Sequence, residues 1–297
     1  MFTLTPYIAQ TYHDRGIYFA AHGFVFLVVD SRGRGGSQGN FQPFIQEAKD
    51  GYDVVEWLAK QPYCNGKVAM SGGSYTGYDQ WATAKEFPPH LAAIVPVASP
   101  YAGVDFPMRG GITYPFLIQW LNFTAGRTLQ GDISADSAFW KSRYFQFLRS
   151  GQPFKSLDAW AGAPSPAFQE WISHPAIDAY WDAYNPTAEQ YARLSIPILT
   201  ITGSYDDDQP GALTHYREYM RHASEAGKAR HLLVIGPWDH AGTHAPRAQV
   251  GGLTFGAASL VDILKLHADW YAWTMQGAPK PALLQKPVAY YVMRADK

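Results

Sequence analysis

The chain has 297 residues, 47% of them hydrophobic, which is enough to bury a substantial core as one large domain or two modest ones. Its 24 Lys and Arg residues balance 25 Asp and Glu residues, and the absence of any long block of one charge argues against a nucleic-acid partner or a polybasic membrane surface. The single cysteine, Cys64, excludes an intramolecular disulfide, and no Cys/His cluster has the spacing of a structural zinc site.

The first residues resemble neither a signal peptide nor a membrane span. MFTLTPYIAQ lacks a basic stretch followed by an apolar run, so the cytoplasm is the default location. The longest apolar stretch, residues 18–29, is interrupted by His22 and Gly23, whereas a membrane helix needs about 20 apolar residues. Residues 18–29 are therefore predicted to be the end of a helix followed by a core strand.

Short β-branched runs alternate with longer helical stretches along the chain, which is typical of βα units around a mostly parallel sheet. Most of these runs are apolar throughout, as expected of strands covered on both faces. The predicted strands are residues 24–30, 67–72, 91–98, 196–203, 231–236 and 288–293, and the predicted helices are residues 46–60, 75–85, 211–224 and 257–276. The pattern predicts an α/β fold with helices flanking the sheet.

The strand signal disappears between about residues 101 and 186. Trp- and Phe-rich segments such as PFLIQWLNF and AFWKSRYFQFL take its place. A stretch of this length is too long for a single βα connection, so we predict an inserted helical cap, with a pair of ordinary helical crossovers as the alternative. The expected organisation is a first core segment at residues 1–100, the cap at residues 101–186 and a second core segment at residues 187–297.

The segment KVAMSGGSYTG predicts a strand, a sharp turn and a helix, with Ser74 in the turn. Such a turn requires small residues around the serine, and Gly72, Gly73 and Gly77 supply them. The N-terminus of the following helix favours negative charge nearby. Ser74 is therefore the predicted nucleophile, although Thr76 occupies the last glycine position of the strict Gly-x-Ser-x-Gly pattern.

A strict match to that pattern occurs elsewhere, in GGSQG at residues 35–39, with Ser37 at the serine position. The residues after Ser37 are typical of a loop, and no helix directly follows the turn. Because the strand-turn-helix context confirms such a motif more than its letters do, we prefer Ser74 to Ser37.

An acid and then a histidine are expected after two later strands, in the order Ser, Asp, His. The run IPILTITGSY is followed by Asp206, Asp207 and Asp208, and the run HLLVIGPWDH ends in His240. Both positions lie just past a predicted strand, where open α/β sheets place functional groups. We predict that His240 is the general base and that Asp206 orients it. Taken alone, the aspartates would be interpreted as a solvated turn.

His244 is a competing histidine four residues further along, and Asp239, His240 and His244 together suggest a metal site as an alternative. No further metal ligand is evident beside these residues, and a histidine in a loop is more often simply exposed. Neither a metal nor an organic cofactor is expected.

Three of these motifs, GGSYTG, GSYDDD and GPWDHAG, resemble the nucleophile, acid and histidine motifs of the X-Pro dipeptidyl-peptidase, cocaine esterase and α-amino-acid ester hydrolase family. DSRGRGGSQG resembles the glycine-rich loop of that family, and SHPAIDAYWDAYNP resembles the end of its cap, so the resemblance covers nearly the whole chain. It implies the α/β-hydrolase fold with a helical cap. The family's serine lies in Gly-x-Ser-Tyr-x-Gly. Thr76 occupies the second variable position of this pattern and therefore agrees with it.

The resemblance also implies further site residues. The family's oxyanion hole uses the backbone amide after the serine and a tyrosine hydroxyl from an early Pro-Tyr segment, which correspond to Tyr75 and Tyr7. In the α-amino-acid ester hydrolases an acidic residue two places after the catalytic aspartate helps to bind the substrate ammonium, and Asp208 has that offset from Asp206. The alternative is that Asp207 and Asp208 only solvate the loop.

Family members usually begin with additional strands and end with a jelly-roll domain. This chain starts close to Tyr7 and stops at VAYYVMRADK, which resembles the first strand of the jelly roll, so that domain is expected to be largely absent. A fragment or a reduced family member would both fit this observation. The cap is expected to contribute the acyl pocket, with Trp120, Trp171 and Trp181 as candidates, although each is also interpretable as a core residue.

The implied activity is that of a serine hydrolase that cleaves ester or amide bonds of acyl or aminoacyl substrates through an acyl-enzyme. The expected partner is a small-molecule or short-peptide substrate, with no nucleic acid and no membrane. Whether the chain forms a homo-oligomer stays open. An X-Pro dipeptidyl-peptidase, an inactive fragment of such an enzyme and a non-catalytic binding protein of the same fold are the alternatives.

Overall fold

The computed structural model describes residues 1–293. Its strands are β1 (Phe2–Thr5), β2 (Leu27–Asp30), β3 (Val68–Gly73), β4 (Leu91–Val97), β5 (Met108–Arg109), β6 (Ile112–Thr113), β7 (Ile198–Tyr205), β8 (His231–Asp239), β9 (Gln249–Val250), β10 (Leu253–Thr254) and β11 (Val288–Tyr290). Seven of them form one sheet in the order β11-β8-β7-β4-β3-β1-β2, and all neighbouring pairs are parallel. The predicted parallel α/β architecture is confirmed.

Helices lie on both faces of this sheet and also form most of the segment between β4 and β7. They are α1 (His13–Ala21), α2 (Glu47–Ala59), α3 (Tyr75–Ala84), α4 (Phe116–Phe123), α5 (Gly131–Ala135), α6 (Ser137–Ser150), α7 (Leu157–Trp160), α8 (Pro166–Ser173), α9 (Ala179–Asp182), α10 (Ala188–Arg193), α11 (Gln209–His222), α12 (Glu225–Lys228) and α13 (Ile263–Gln276). One apolar cluster joins α1 and α13 to the sheet, and a second joins α2, α3 and α11 to it. Within residues 1–293, no helix is long and apolar enough to cross a membrane.

The first strand of the sheet differs from the prediction, which began at residue 24. β1 has only four residues and follows directly after Met1, so its sequence FTLT is too short to show a clear period. In the structure β1 lies between β3 and β2, with Thr5 paired with Asp30. Because β1 ends at Thr5, Tyr7 lies just beyond a strand end, at the same edge of the sheet as the other predicted site residues.

The last predicted helix begins later than expected, at Ile263 rather than Ala257. A short 3-10 turn, Ala257–Ser259, precedes it. Asp262 then caps α13, because its side chain accepts a hydrogen bond from the Lys265 amide at 2.9 Å. The start of the helix is therefore fixed by its cap and not by the apolar pattern upstream.

The segment between β4 and β7 consists of α4 to α10 and the small hairpin β5–β6, and none of its described residues joins the central sheet. It has its own aromatic core, in which Trp140, Trp171 and Trp181 are almost fully buried. The helical character of this segment agrees with the predicted cap, whereas the division into domains at residues 101 and 186 stays a prediction. At the other end of the chain β11 pairs with β8, and residues 294–297 of the VAYYVMRADK run lie outside the described residues.

Arg34, in the glycine-rich loop after β2, is completely buried. Within residues 1–293, the guanidinium forms no ion pair with a carboxylate. It donates instead to main-chain carbonyls on two segments: Pro6 (2.9 Å), Thr124 (2.6 Å), Gly126 and Thr128 (3.3 Å). A buried cation needs such acceptors to offset its lost hydration. The side chain therefore ties the N-terminal segment to the chain that follows α4.

Replacing Arg34 by methionine should destabilise the fold by about 3 kcal/mol, because buried carbonyls would lose their donor. The matched control is Arg32→Met in the same loop, where the side chain is half exposed and pairs with Asp50. An exposed pair contributes about 1 kcal/mol or less. Urea unfolding of both variants measures the difference, and equal losses would contradict the inferred clamp.

Candidate active site

Ser74 lies in the turn between β3 and α3, with φ of 59° and ψ of −130°. Its amide donates to the Val97 carbonyl at 2.9 Å, which holds the turn against the neighbouring strand. A serine with positive φ is uncommon, and such strained residues cluster at functional sites. Tyr75 is the first residue of α3, so its amide has no acceptor within the helix and stays available beside Ser74.

The turn is closely packed on both sides of the serine. A Cβ atom at Gly73 would lie 2.0 Å from the ring of His244, and one at Gly77 would lie 2.7 Å from the Val97 carbonyl oxygen. Neither position can accept a side chain without displacing its neighbour. The predicted requirement for small residues therefore has a direct steric cause at Gly73 and Gly77.

His240 and Asp206 follow two adjacent parallel strands, β8 and β7. The His240 Nδ1 atom lies 2.8 Å from Asp206 Oδ1. Asp206 is buried, and its carboxylate also accepts from the Thr202 hydroxyl and the Asp208 amide, both at 3.1 Å. These contacts hold the carboxylate in one orientation and leave the other nitrogen of His240 free of it.

A cavity of about 970 Å³ opens at this edge of the sheet. Five predicted site residues line it: Tyr7, Ser74, Tyr75, Asp208 and His240. Asp206 lies behind His240, away from the cavity wall. Aromatic residues are the largest group in the remaining wall, and they include Phe44, Phe106, Tyr114, Phe116, Trp120 and Phe123. The structure thus brings the predicted nucleophile, base and oxyanion donors to the wall of one cavity.

The charge of His240 depends on the acidic loop beside it. Burial alone lowers the pKa of His240, but the hydrogen bond that its ring donates to Asp206 and the charges of Asp208, Asp206 and Asp207 outweigh this effect and raise the pKa to about 9. Asp208 Oδ2 lies 3.8 Å from His240 Nδ1. Burial raises the pKa of Asp208 to about 7, although the charge of His240 opposes the shift. The charge of the His240 imidazole and the charge of the Asp208 carboxyl group therefore influence each other's pKa.

Replacing Asp208 by asparagine should lower the pKa of His240 by about one unit, because a buried carboxylate is removed from beside the ring. NMR titration of the His240 ring measures this shift directly. The control is Asp207→Asn, since Asp207 is exposed and solvent screens its charge. Equal shifts in the two variants would show that Asp208 has no special influence on His240.

The two predicted oxyanion donors differ in what their side chains do. The Tyr7 hydroxyl accepts from Trp120 Nε1 at 3.2 Å. Burial raises the pKa of Tyr7 above its ordinary value, and contacts with Trp120 and Ser74 only partly oppose the shift, so the hydroxyl keeps its proton. The Tyr75 hydroxyl is already engaged, because it donates to Glu47 Oε1 at 2.5 Å. Tyr75 therefore offers its amide, and Tyr7 offers its hydroxyl.

Ser37, the competing serine, lies in a loop and outside the cavity wall. Its hydroxyl donates to the Asp30 carbonyl at 2.6 Å. The Asp30 carboxylate in turn accepts from the amides of Ala9 and Gly36 at 2.8 and 2.9 Å. Ser37 therefore helps to fold the glycine-rich loop around Asp30.

His244, the competing histidine, and the residues considered as metal ligands have other contacts in the structure. His244 lies against Gly73, and burial together with the charge of Arg15 lowers its pKa to about 3. Asp239 accepts from Arg247 at 3.0 Å, while His240 contacts Asp206. Across residues 1–293, no three His, Cys, Asp or Glu side chains lie together as a metal-binding group.

Several residues of the cavity wall carried no signal in the sequence. Arg15 comes from α1 and Arg109 from the β5–β6 hairpin, and folding alone brings these distant segments together. Of the three cap tryptophans considered, Trp120 lines the cavity, whereas Trp171 and Trp181 lie in the cap core. A side chain that is isolated in its local motif cannot be recognised as part of a pocket from sequence alone.

The parallel sheet, the strained serine turn after β3 and the acid and histidine after β7 and β8 are the arrangement of the α/β-hydrolase fold. The sequence profile of the X-Pro dipeptidyl-peptidase (S15) family matches residues 1–242, and the chain belongs to this family. The resemblance inferred from the motifs is confirmed.

The chain is similar in sequence to a cocaine esterase and in fold to two solved structures. The cocaine esterase of Rhodococcus sp. (strain MB1 Bresler) is 26% identical over 305 residues, which cover 97% of this chain and 51% of that protein. A solved α-amino acid ester hydrolase has a TM-score of 0.79 at 23% identity, covering 98% of this chain and 51% of the other. An aminopeptidase from a marine sediment archaeon, Thaumarchaeota archaeon, has a TM-score of 0.76 at 22% identity, covering 98% and 52%. The chain spans about half the length of these relatives.

Proposed function

We propose that this chain is a serine hydrolase that cleaves ester or amide bonds of acyl or aminoacyl substrates through an acyl-enzyme. The observation that carries the proposal is the 2.8 Å contact between Asp206 and His240, which lies beside the cavity that the Ser74 turn also lines. Family membership and the esterase and ester hydrolase relatives support the same reaction class.

In the proposed reaction, the neutral form of His240, which predominates above its pKa of about 9, takes the proton of Ser74 as the serine oxygen attacks the substrate carbonyl carbon. Asp206 accepts from Nδ1, so the other ring nitrogen is the one that carries the transferred proton. The negative oxygen that forms accepts hydrogen bonds from the Tyr75 amide and the Tyr7 hydroxyl, each lowering the barrier by about 3 kcal/mol. His240 then protonates the leaving group, and water releases the acyl group by the same route.

Replacing Ser74 by alanine should reduce p-nitrophenyl ester hydrolysis by at least about a thousandfold, because no acyl-enzyme can form. It should also abolish labelling by a fluorophosphonate probe. The matched control is Ser37→Ala, which removes the serine of the strict motif and should retain both activities. Labelling that survives in the Ser74 variant, or disappears in the Ser37 variant, would overturn the assignment.

The aminoacyl preference rests on Asp208. This carboxyl group is buried on the cavity wall, and burial raises its pKa to about 7. A substrate ammonium beside it would favour the ionised carboxylate and so form a charge-assisted hydrogen bond. We therefore propose that Asp208 binds the ammonium group of α-amino esters.

Replacing Asp208 by asparagine should raise KM for the p-nitrophenyl ester of alanine about tenfold relative to p-nitrophenyl propionate, which has the same shape without the amine. Any change in the His240 pKa affects both substrates and cancels in the ratio. The exposed neighbour supplies the control, as Asp207→Asn should leave the ratio near its original value. If both substrates respond equally to the Asp208 variant, the ammonium role is wrong.

The second candidate activity is that of an X-Pro dipeptidyl-peptidase. The family profile and the aminopeptidase relative favour it, and a dipeptidyl substrate also presents an ammonium group. Hydrolysis of Gly-Pro-p-nitroanilide by the chain, compared with the alanine ester, distinguishes the two candidates.

A further inference from the structure

Arg15 is a cation on the wall of the cavity that holds Ser74 and His240. Its guanidinium carbon lies 5.9 Å from the centre of the Tyr12 ring. Within the described part of the chain, the guanidinium makes no ion pair and no hydrogen bond. The other cavity arginine differs in this respect, because Arg109 donates to the Asp207 carbonyl.

The groups around Arg15 do not offset its charge. Burial, with the positive charge of Arg15 as a further cause, lowers the pKa of His244 to about 3 and holds the pKa of His267 well below its usual range. Both histidines are therefore neutral at physiological pH. Burial raises the pKa of Tyr271, so this neighbour is neutral as well. Arg15 is partly buried, and a partly desolvated cation is stabilised by a negatively charged group beside it.

The acidic side chains of the cavity region have other contacts. Asp206 pairs with His240, and Asp208 lies 3.8 Å from the same ring. The charges with the largest influence on the pKa of Asp208 are those of His240, Asp206, Asp207 and Arg109. The acidic groups of the cavity therefore have charged partners of their own, and Arg15 lines the same cavity.

His244 is a neighbour of both Arg15 and the serine turn. The His244 ring lies directly against Gly73, the residue before Ser74, and Arg15 is near enough to His244 to lower its pKa. Arg15, His244, Gly73 and Ser74 all line the same cavity. A cavity of about 970 Å³ has room for a substrate that reaches both Ser74 and Arg15.

We propose that Arg15 binds an anionic group of the substrate, a carboxylate or a group of the same charge and planar geometry, and that the enzyme prefers anionic esters to neutral ones. A guanidinium matches a carboxylate with two parallel hydrogen bonds, which gives both affinity and orientation. This inference rests on the proposed hydrolase function and adds a substrate class to it.

Two matched pairs of esters test the proposal, one with the charge on the acyl side and one with it on the leaving group. They are mono-p-nitrophenyl adipate against p-nitrophenyl hexanoate, and 4-acetoxybenzoate against its methyl ester. In at least one pair, kcat/KM should favour the anionic ester, and Arg15→Gln should reduce that preference about tenfold, whereas Arg15→Lys should keep part of it.

Two further variants serve as controls. Arg32→Gln removes a distant arginine that pairs with Asp50, and it should leave the preference unchanged. Arg109→Gln removes the other arginine of the cavity wall. A preference that disappears with Arg109 but survives in Arg15→Gln overturns the proposal, as does the absence of any preference in the unmodified chain.

A binding measurement separates this inference from the proposed function. Titration calorimetry with benzoate and with benzyl alcohol needs no turnover, so it remains decisive if the chain hydrolyses no ester at all. Benzoate should bind more tightly than the alcohol, and Arg15→Gln should weaken benzoate binding about tenfold. Equal binding of the two probes, or no effect of the substitution, would overturn the anion site, while loss of Ser74-dependent hydrolysis alone would count only against the hydrolase proposal.

Discussion

The parallel pairing of β7 with β8 puts Asp206 beside His240. Tyr205 is paired with Asp239, so the residues that follow, one on each strand, leave the sheet together at its carboxyl edge. The other functional groups reach that edge in the same way, because Ser74 follows β3 and Tyr7 lies just beyond β1. A parallel sheet collects the ends of distant segments at one place, and the 2.8 Å contact between acid and histidine is a product of that register.

Charge is unevenly distributed in the pocket that results. The acidic loop outweighs burial and raises the pKa of His240, burial raises the pKa of Asp208, and His244, His267 and Tyr271 near Arg15 are neutral. Aromatic side chains form much of the wall of the cavity that Arg15, Asp208 and His240 share, and apolar surroundings strengthen electrostatic interactions. A substrate with one charged group is therefore expected to bind in a single orientation, since each charge is attracted to only one part of the pocket.

Much of this arrangement could be predicted from sequence because its signals are local. β3, β7 and β8 are apolar runs, and Ser74, Asp206 and His240 follow them in an order that one reaction class explains. β1 was missed because four residues are too few to show a period. Arg15 and Arg109 could not be recognised as cavity residues, because their place on the wall depends on contacts between segments far apart in the chain. Asp208 was predicted only through a family resemblance, and its position against His240 needed the structure.

The buried clamp at Arg34 has a mechanical consequence. It joins the segment before Tyr7 to the residues that follow α4, the helix that carries Trp120. The clamp therefore restrains the N-terminal segment and the residues after α4 relative to each other, and the hydrogen bond between Tyr7 and Trp120 joins the same two parts of the chain. We expect these two parts to move together if the cap opens, so that the Tyr7 hydroxyl keeps its place on the cavity wall.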